Sequence, residues 1–181
     1  MKKTLLAIAI LTVSITAQAQ KFSTRSGFIR FFSEAPLENI EANNRQVTSI
    51  LDIGTKSMAF SVLMKSFEFE KALMQEHFNE KYVHSDKYPN AKFNGKIQEN
   101  LDLNKPGTYA ATVVGELDMH GVKKNYTGKG TLVVSESGIK GTCKFKITLA
   151  DHNIEIPSPV KDKIAPVVEV TVDMDYKPMT K

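Results

Sequence analysis

The sequence has few of the residues that build crosslinked or metal-bound scaffolds. Its 181 residues include one cysteine, Cys143, and no tryptophan. A single cysteine excludes an intramolecular disulfide and any metal or iron–sulfur site that needs several cysteines. Seven prolines and ten glycines can mark turns but are too few for a low-complexity chain. Because 41% of the residues are hydrophobic and 24% are charged, the composition predicts a globular protein with one core.

One long apolar run is present, at the N-terminus. Lys2 and Lys3 precede an apolar stretch from Leu5 to Ile15, and Ala17-Gln18-Ala19 has the small-x-small pattern of a cleavage site. This order predicts a secretory signal peptide over residues 1–19, because the stretch is shorter than the ~20 residues that cross a bilayer as a helix. We therefore expect one periplasmic or secreted domain over residues 20–181, with no transmembrane segment after processing.

The charge balance argues against nucleic-acid binding. The formal charge of the full chain is +4, and cleavage after residue 19 removes two lysines and no acidic residue, which leaves +2. No arginine-rich segment remains to contact phosphate groups, so we expect no nucleic-acid partner.

Apolar and polar residues alternate with a period of two along much of the chain. From Ile139 to Leu149 the odd positions are apolar or small, and the even positions carry lysine or threonine. Since successive side chains of a strand point to opposite faces, this segment predicts a strand with one buried face. About eight strands are predicted in this way, the others being Phe22–Phe32, Val47–Ile53, Ser57–Met64, Ala91–Gln98, Thr108–Leu117, Tyr126–Val134 and Val167–Tyr176.

Turn and helix signals complete the predicted topology. His120-Gly121 predicts a hairpin turn, and Ser135 to Gly138 predicts a second one. Residues Phe67 to Tyr82 lack glycine and proline and are rich in helix-forming residues, which predicts one short helix. Asp151 to Pro166 contains three prolines and predicts a long connection across one end of the sheet.

These elements predict a mainly β fold, either a sandwich or a closed antiparallel barrel. An eight-stranded barrel is either filled by side chains or holds one small ligand. Small inward residues leave room for an elongated apolar guest, but the pattern by itself favours a solid core. Cys143 lies on the predicted buried face, which favours an inert thiol.

Three segments carry motifs that point to one family. The first is Glu76-His77-Phe78, followed by Tyr82 and by Asp86 to Phe93. The second is Gly115 to Lys124, with the pattern Gly-x-Leu-x-x-His-Gly-x-x-Lys, and the third is Ser26 to Phe31. In this order they resemble the segment after the helix, a hairpin and the first strand of the YceI-like family of polyisoprenoid-binding periplasmic proteins. The resemblance implies an eight-stranded antiparallel lipocalin-like barrel with one short helix covering an end. It also implies that a polyisoprenoid or another long-chain lipid lies inside the barrel.

The expected ligand contacts are inward positions of the predicted strands, and each of them is equally expected in a filled core: Phe60, Val62, Phe93, Ile97, Val113, Phe145, Ile147, Val170 and Val172. Four polar residues are candidates for contact with a head group at the mouth of the barrel: His77, His120, Lys123 and Lys124. The alternative for the two histidines is structural: His77 is then a helix residue that caps the barrel mouth and bonds to the backbone, and His120 is a turn residue.

Lysines of the predicted hairpin and the next strand form a basic outer patch, namely Lys123, Lys124, Lys129, Lys140, Lys144 and Lys146. This patch either attracts an anionic membrane or pyrophosphate group or is a solvated face.

Catalytic and metal-binding patterns are weak. His77 and His84 are not spaced as metal ligands in a His-Glu-x-x-His motif, and no Gly-x-Ser-x-Gly or phosphate-binding glycine loop occurs. We therefore expect a binding protein with no catalytic residue, metal or cofactor. Two alternatives stay open: a secreted β-domain with a filled core that acts through surface contacts, a homodimer being one such assembly, and a hydrolase or metal enzyme.

Overall fold

A computed structural model describes residues 21–179, so the predicted signal peptide lies outside the described residues. Eight long strands and one short strand form a single antiparallel sheet. Their bounds are β1 (Lys21–Glu34), β2 (Asn39–Asp52), β3 (Ser57–Leu63), β4 (Glu68–Phe69), β5 (Asn90–Ile97), β6 (Gly107–Met119), β7 (Val122–Ser135), β8 (Gly138–Thr148) and β9 (Val167–Pro178). The eight long strands confirm the number predicted from the alternation.

The sheet closes on itself. The strand order is β1-β9-β8-β7-β6-β5-β3-β2-β4, and β1 also pairs with β2. The eight long strands therefore form a closed antiparallel barrel, and the two residues of β4 pair with Ala42 and Asn43 of β2, above the part of β2 that pairs with β3. Closure pairs every long strand on both sides, which removes free sheet edges.

Both predicted hairpin turns are present. His120 and Gly121 join β6 to β7 with φ values of 54° and 75°. Two successive left-handed residues are typical of the type I′ turn that connects two-residue hairpins. The second turn joins β7 to β8 at residues 136–137.

The helix is shorter than the sequence predicts. Helix α1 covers Ala72–His77, and one π-helical turn continues it over Phe78–Tyr82. The first residues of the predicted helix are extended instead, because Glu68 and Phe69 pair with Asn43 and Ala42 of β2. Strand β2 also begins at Asn39, well before the predicted Val47.

The two ends of the barrel carry different connections. At the end that we call the upper end lie the β1–β2 turn, the segment 64–89 with α1, the β6–β7 hairpin turn and the connection 149–166. At the lower end lie the turns after β2, β5 and β7. A backbone hydrogen bond of 2.9 Å from the Leu37 amide to the Asp162 carbonyl ties the β1–β2 turn to the connection. The connection therefore crosses one end of the barrel, as predicted.

The predicted inward faces are confirmed on β8 and β9. On β9, Val168, Val170, Val172, Met174 and Tyr176 are all buried, and on β8 the alternate lysines are exposed. The lower end is a packed core whose largest members are at most 8% exposed: Phe22, Leu51, Ile53, Ile97, Leu103, Val134, Ile139 and Tyr176. Within residues 21–179, no helix combines the length and the apolar composition needed to cross a bilayer.

Candidate ligand cavity

Small side chains leave the middle of the barrel unfilled. The first two inward positions of β7 above Leu132 are Gly130 and Gly128, and Ala91 and Ala111 face inward from β5 and β6. A β-carbon at Gly128 would lie only 2.5 Å from the Cys143 Sγ, so a larger residue does not fit there without displacing the thiol. Where several of these glycines and alanines lie at the same height of the barrel, their side chains together do not fill the cross-section of the barrel.

The resulting lower cavity has a volume of about 120 Å³. Its aromatic and aliphatic walls come from all the long strands except β2, and its lining includes Phe60, Phe93, Val113, Tyr126 and Val172. Phe60, Phe93, Val113 and Tyr126 point inward yet are only half-buried, because their inner surfaces face the empty space. The cavity is comparable in size to one that holds benzene, about 150 Å³.

The upper cavity is larger, about 470 Å³, and lies under α1 and the connection 149–166. Its volume falls within the range of about 300–1,000 Å³ that is typical of small-molecule sites. It adjoins the lower cavity, since five residues line both: Ile29, Val62, Ala91, Leu117 and Phe145. Together the two cavities form a long apolar space from the upper end to the middle of the barrel.

Four phenylalanines form one wall of the upper cavity. Phe31 of β1 has its ring centroid 5.4–5.7 Å from those of Phe67, Phe69 and Phe78, and the Phe69 and Phe78 centroids are 5.0 Å apart. Such contacts between rings stabilise the wall beyond the area that it buries. The cluster fixes the segment 64–89 over the upper end of β1.

The charged side chains that line the upper cavity lie at its rim. Lys71 bonds Glu38 at 3.0 Å, and Lys163 and His77 also border the cavity. Leu73 borders it as well and is 60% exposed, so the cavity opens to solvent beside α1. The interior is thus suited to hydrocarbon, and the rim is suited to a polar group.

The structure brings most of the sequence-predicted ligand contacts together. Val62 and Phe145 line both cavities. Six others line one cavity each: the lower cavity is lined by Phe60, Phe93, Val113 and Val172, and the upper cavity by Ile147 and Val170. Ile97 lies in the packed lower core, 4% exposed, and lines neither cavity. The expectation of a solid core is therefore wrong above the level of Tyr176 and correct below it.

Only one of the four candidate head-group residues lines a cavity. His77 lines the upper cavity, whereas His120, Lys123 and Lys124 line neither cavity. Lys123 forms an exposed ion pair with Glu116 at 2.9 Å. The wall formed by Phe31, Phe67 and Phe69 is not predicted from the sequence, although the aromatic residues of the segment 67–82 are a signal for part of it.

Three histidines connect the segments around the upper end. His84 Nδ1 lies 2.8 Å from His120 Nε2, and His120 Nδ1 lies 2.9 Å from the carbonyl oxygen of His152. The fully buried His152 has its Nε2 3.0 Å from the Tyr126 hydroxyl, and its Nδ1 is 3.1 Å from the Met119 carbonyl oxygen. These bonds join the segment after α1, the hairpin turn and the connection 149–166 to the cavity wall.

Carbonyl acceptors decide which ring nitrogen donates in two of these histidines. His120 and His152 must both donate from Nδ1, because each Nδ1 faces a carbonyl oxygen. His152 Nε2 is then left to accept from the Tyr126 hydroxyl, and His120 Nε2 accepts from His84 Nδ1–H. Burial raises the pKa of the Tyr126 phenol, assisted by the charge of Asp151, which keeps that donor protonated. His120 is therefore held by structural bonds, in line with its predicted role in the turn.

The predicted basic patch is partly neutralised by its neighbours. Lys140 bonds Asp173 at 3.3 Å and Lys144 bonds Glu169 at 3.4 Å, both across to β9. Exposed pairs of this kind stabilise by at most about 1 kcal/mol, and both lysine side chains remain at least half exposed to solvent. Cys143 lines the lower cavity, and burial raises the pKa of its thiol, which favours the protonated, inert form. Among residues 21–179, no three His, Cys, Asp or Glu side chains are grouped closely enough to hold a metal ion.

Solved structures share this architecture at low sequence identity. A polyisoprenoid binding domain from Saccharophagus degradans, implicated in plant cell wall breakdown, matches with a TM-score of 0.74 and 15% identity over 89% of this chain and 99% of that chain. BcnA from Burkholderia cenocepacia matches with a TM-score of 0.68 and 15% identity, over 81% and 94% of the two chains. The YCEI protein of Campylobacter jejuni matches with a TM-score of 0.61 and 14% identity, over 100% of both chains.

No curated protein matches the sequence. Residues 11–176, however, match the YceI-like domain, and this match includes every residue that lines the two cavities. The resemblance seen in three short segments is thus confirmed over nearly the whole described chain. The chain belongs to the family of YceI-like domains.

Proposed function

We propose that this chain is an exported binding protein that shelters an elongated apolar lipid, a polyisoprenoid or a similar long chain, inside its barrel. The observation that carries the proposal is the pair of adjoining apolar cavities of about 470 and 120 Å³. Burial of apolar ligand surface there contributes about 25 cal/mol per Å² before the costs of ordering the ligand. The polyisoprenoid binding domain that shares this fold supports the choice of ligand class.

The contacts follow from the lining. The hydrocarbon contacts Phe60, Phe93 and Val113 in the lower cavity, and Phe145 at the junction of the two cavities. A polar head group stays at the rim beside His77, because the interior offers no charged partner. The protein binds and releases its guest without a chemical step.

The ligand is tested by extracting lipid from protein purified from its own host and identifying it by mass spectrometry. Uptake of added polyprenols by delipidated protein is measured in parallel. We expect a long-chain isoprenoid lipid in the extract and saturable uptake. A delipidated, folded protein that takes up no polyprenol would refute the proposal and favour a β-domain that acts through its surface.

A matched pair of variants places the ligand in the cavities. Ala91 lines both cavities, so Ala91→Leu narrows their junction, whereas Ala59→Leu adds the same side chain to the exposed face of β3. We expect Ala91→Leu to weaken polyprenol binding about tenfold or more, since lost apolar burial of 1.4 kcal/mol is a factor of ten. Equal binding by both variants would place the ligand outside the barrel.

Export is tested separately by cell fractionation and by the intact mass of the mature protein. We expect the protein outside the cytoplasm with Gln20 as its first residue, as the small-x-small pattern predicts. A protein that keeps residues 1–19 would contradict this part of the proposal without affecting the ligand.

A further inference from the structure

At the lower end of the lower cavity lies one aromatic side chain, Tyr176, together with the aliphatic side chains of Met58 and Leu132. Tyr176 and Met174 of β9 line the bottom of this cavity, and each is 1% exposed. Ile139, which pairs with Tyr176 on the neighbouring β8, and Leu51 of β2 are 2% and 0% exposed and line neither cavity. The empty space therefore stops abruptly at the level of Tyr176.

The Tyr176 ring is held in place by hydrogen bonds. Its hydroxyl donates to Ser49 Oγ at 2.8 Å, and Ser49 Oγ donates in turn to the Ala59 carbonyl oxygen at 2.9 Å. Burial raises the pKa of the phenol, so it remains a donor. A β-carbon at Gly141 would lie 3.5 Å from the ring, which shows how closely the ring packs against β8. Met174, by contrast, is a flexible side chain that can adapt to a guest.

The orientation of the guest follows from the polarity of the two cavities. No charged residue lines the lower cavity, whereas Glu38, Lys71, His77 and Lys163 all border the upper one. A lipid with a polar head group consequently enters with its hydrocarbon end first. That end advances toward Tyr176 while the head group stays at the rim.

We propose that Tyr176 is the residue that sets the longest isoprenoid chain this protein can enclose. The proposal rests on the proposed function and adds a length limit to it. A cavity of about 150 Å³ holds one benzene molecule, which has six carbons. At this ratio, the combined volume of the two cavities holds a chain of about twenty carbons, the size of geranylgeraniol. Further isoprene units remain in solvent and add no affinity.

The test measures the affinities of farnesol, geranylgeraniol and geranylfarnesol for delipidated protein. For the wild type, we expect affinity to rise from farnesol to geranylgeraniol and then to level off. Tyr176→Ala removes the ring and extends the space downward, so geranylfarnesol should bind about tenfold more tightly than geranylgeraniol. Tyr176→Phe keeps the ring and should level off where the wild type does.

A variant at a second position tests the length limit by shortening the cavity instead of extending it. This test does not depend on the folding of Tyr176→Ala. Ala111 lines the lower cavity, and its neighbour Ala110 is exposed on the outer face of β6. We expect Ala111→Leu to fill the lower cavity and to weaken geranylgeraniol about tenfold while leaving farnesol nearly unchanged. Ala110→Leu is the matched control and should change neither affinity.

The outcomes separate the length limit from the proposed function. A wild-type protein that binds no polyprenol overturns the proposed function and the length limit with it. A wild type that binds polyprenols, together with an unaltered length profile in Ala111→Leu, overturns the length limit alone. A folded Tyr176→Ala variant that still levels off at geranylgeraniol does the same.

Discussion

Leu51, Ile139 and Tyr176 at the lower end of the barrel are at most 2% exposed, whereas Phe60, Phe93 and Phe145 nearer the upper end point inward and remain only half-buried. The two regions belong to the same strands and follow the same alternation. They differ in the size of the residues that meet at each level. Large side chains from several strands interdigitate at the lower end, and glycine and alanine meet phenylalanine in the middle.

This difference indicates that the two parts of the barrel have different roles. Close packing at the lower end supplies dispersion contacts and apolar burial that stabilise the fold. The upper part gives up some of that packing to keep an apolar space. Its stability depends more on discrete contacts, namely the four-phenylalanine wall and the hydrogen-bonded histidines. Substitutions should therefore affect the two regions differently.

The largest expected effect is the loss of a packed side chain at the lower end. Leu51→Ala should lower the free energy of unfolding by about 3–5 kcal/mol, because it opens a new cavity in a filled core. The matched substitution Leu117→Ala, at the junction of the two cavities, should cost only about 2 kcal/mol because its neighbours already face empty space. Urea denaturation of delipidated protein measures both. Equal losses would show that the two regions do not differ in packing.

The next effect concerns the hydrogen bonds of the upper end. His152→Ala leaves the Tyr126 hydroxyl and the Met119 carbonyl without their buried partner, so we expect a loss of about 2–3 kcal/mol. His84→Ala, at an exposed ring of the same chain of bonds, should cost less than about 1 kcal/mol. Thermal or urea denaturation compares them. A loss for His152→Ala no greater than that for His84→Ala would contradict a supporting role for the buried histidine.

A smaller effect is expected from the single hydroxyl at the bottom of the cavity. Tyr176→Phe removes the bond to Ser49 but keeps the ring, and should lower the free energy of unfolding by about 1 kcal/mol. Ser49 still donates to the Ala59 carbonyl in this variant, so no buried donor is left without an acceptor. A loss as large as that for Leu51→Ala would mean that the hydroxyl, and not the packing, holds the lower end together.

The smallest effect is a pH dependence of the lower end. The Thr55 backbone amide donates to Asp52 at 2.9 Å and lowers the pKa of this carboxyl below its usual range. A lowered folded-state pKa stabilises the fold above the unfolded pKa of about 4, and this contribution is lost as the pH falls through the folded value. Asp52→Asn should therefore show a flatter loss of stability than the wild type between about pH 5 and pH 2. Urea denaturation measures the free energy of unfolding of both proteins at each pH. If it falls equally for the wild type and for Asp52→Asn as the pH is lowered, Asp52 makes no such contribution.

Much of the fold was predictable because strands and turns depend on local patterns. The alternation on β8 and β9 identified every inward residue of these two strands. His120-Gly121 identified a hairpin turn in which both residues have left-handed backbone conformations. The helix boundary was wrong at its start, since Glu68 and Phe69 gain backbone partners on β2 that outweigh their helical propensity. That pairing joins residues distant in sequence, and no local pattern records it.

The candidate site was predictable only in part for the same reason. Alternation identified Phe60, Phe93 and Phe145 as inward residues, but an inward residue fills a core or lines a cavity according to what lies opposite. The histidine chain was also missed, because His84, His120 and His152 come from three separate connections. Their bonds exist only once the barrel has closed and brought those connections to one end.

The sequence by itself determined which face of each strand turns inward, because side chains alternate along a strand whatever its neighbours are. It also determined where the main hairpins turn, since left-handed backbone at His120-Gly121 is a local property. Only the tertiary structure decided where the interior is full and where it is empty. The volume at each level is shared by residues of eight strands, and the closed register places Tyr176 and Leu51 at a filled level and Ala111 and Gly128 at a hollow one.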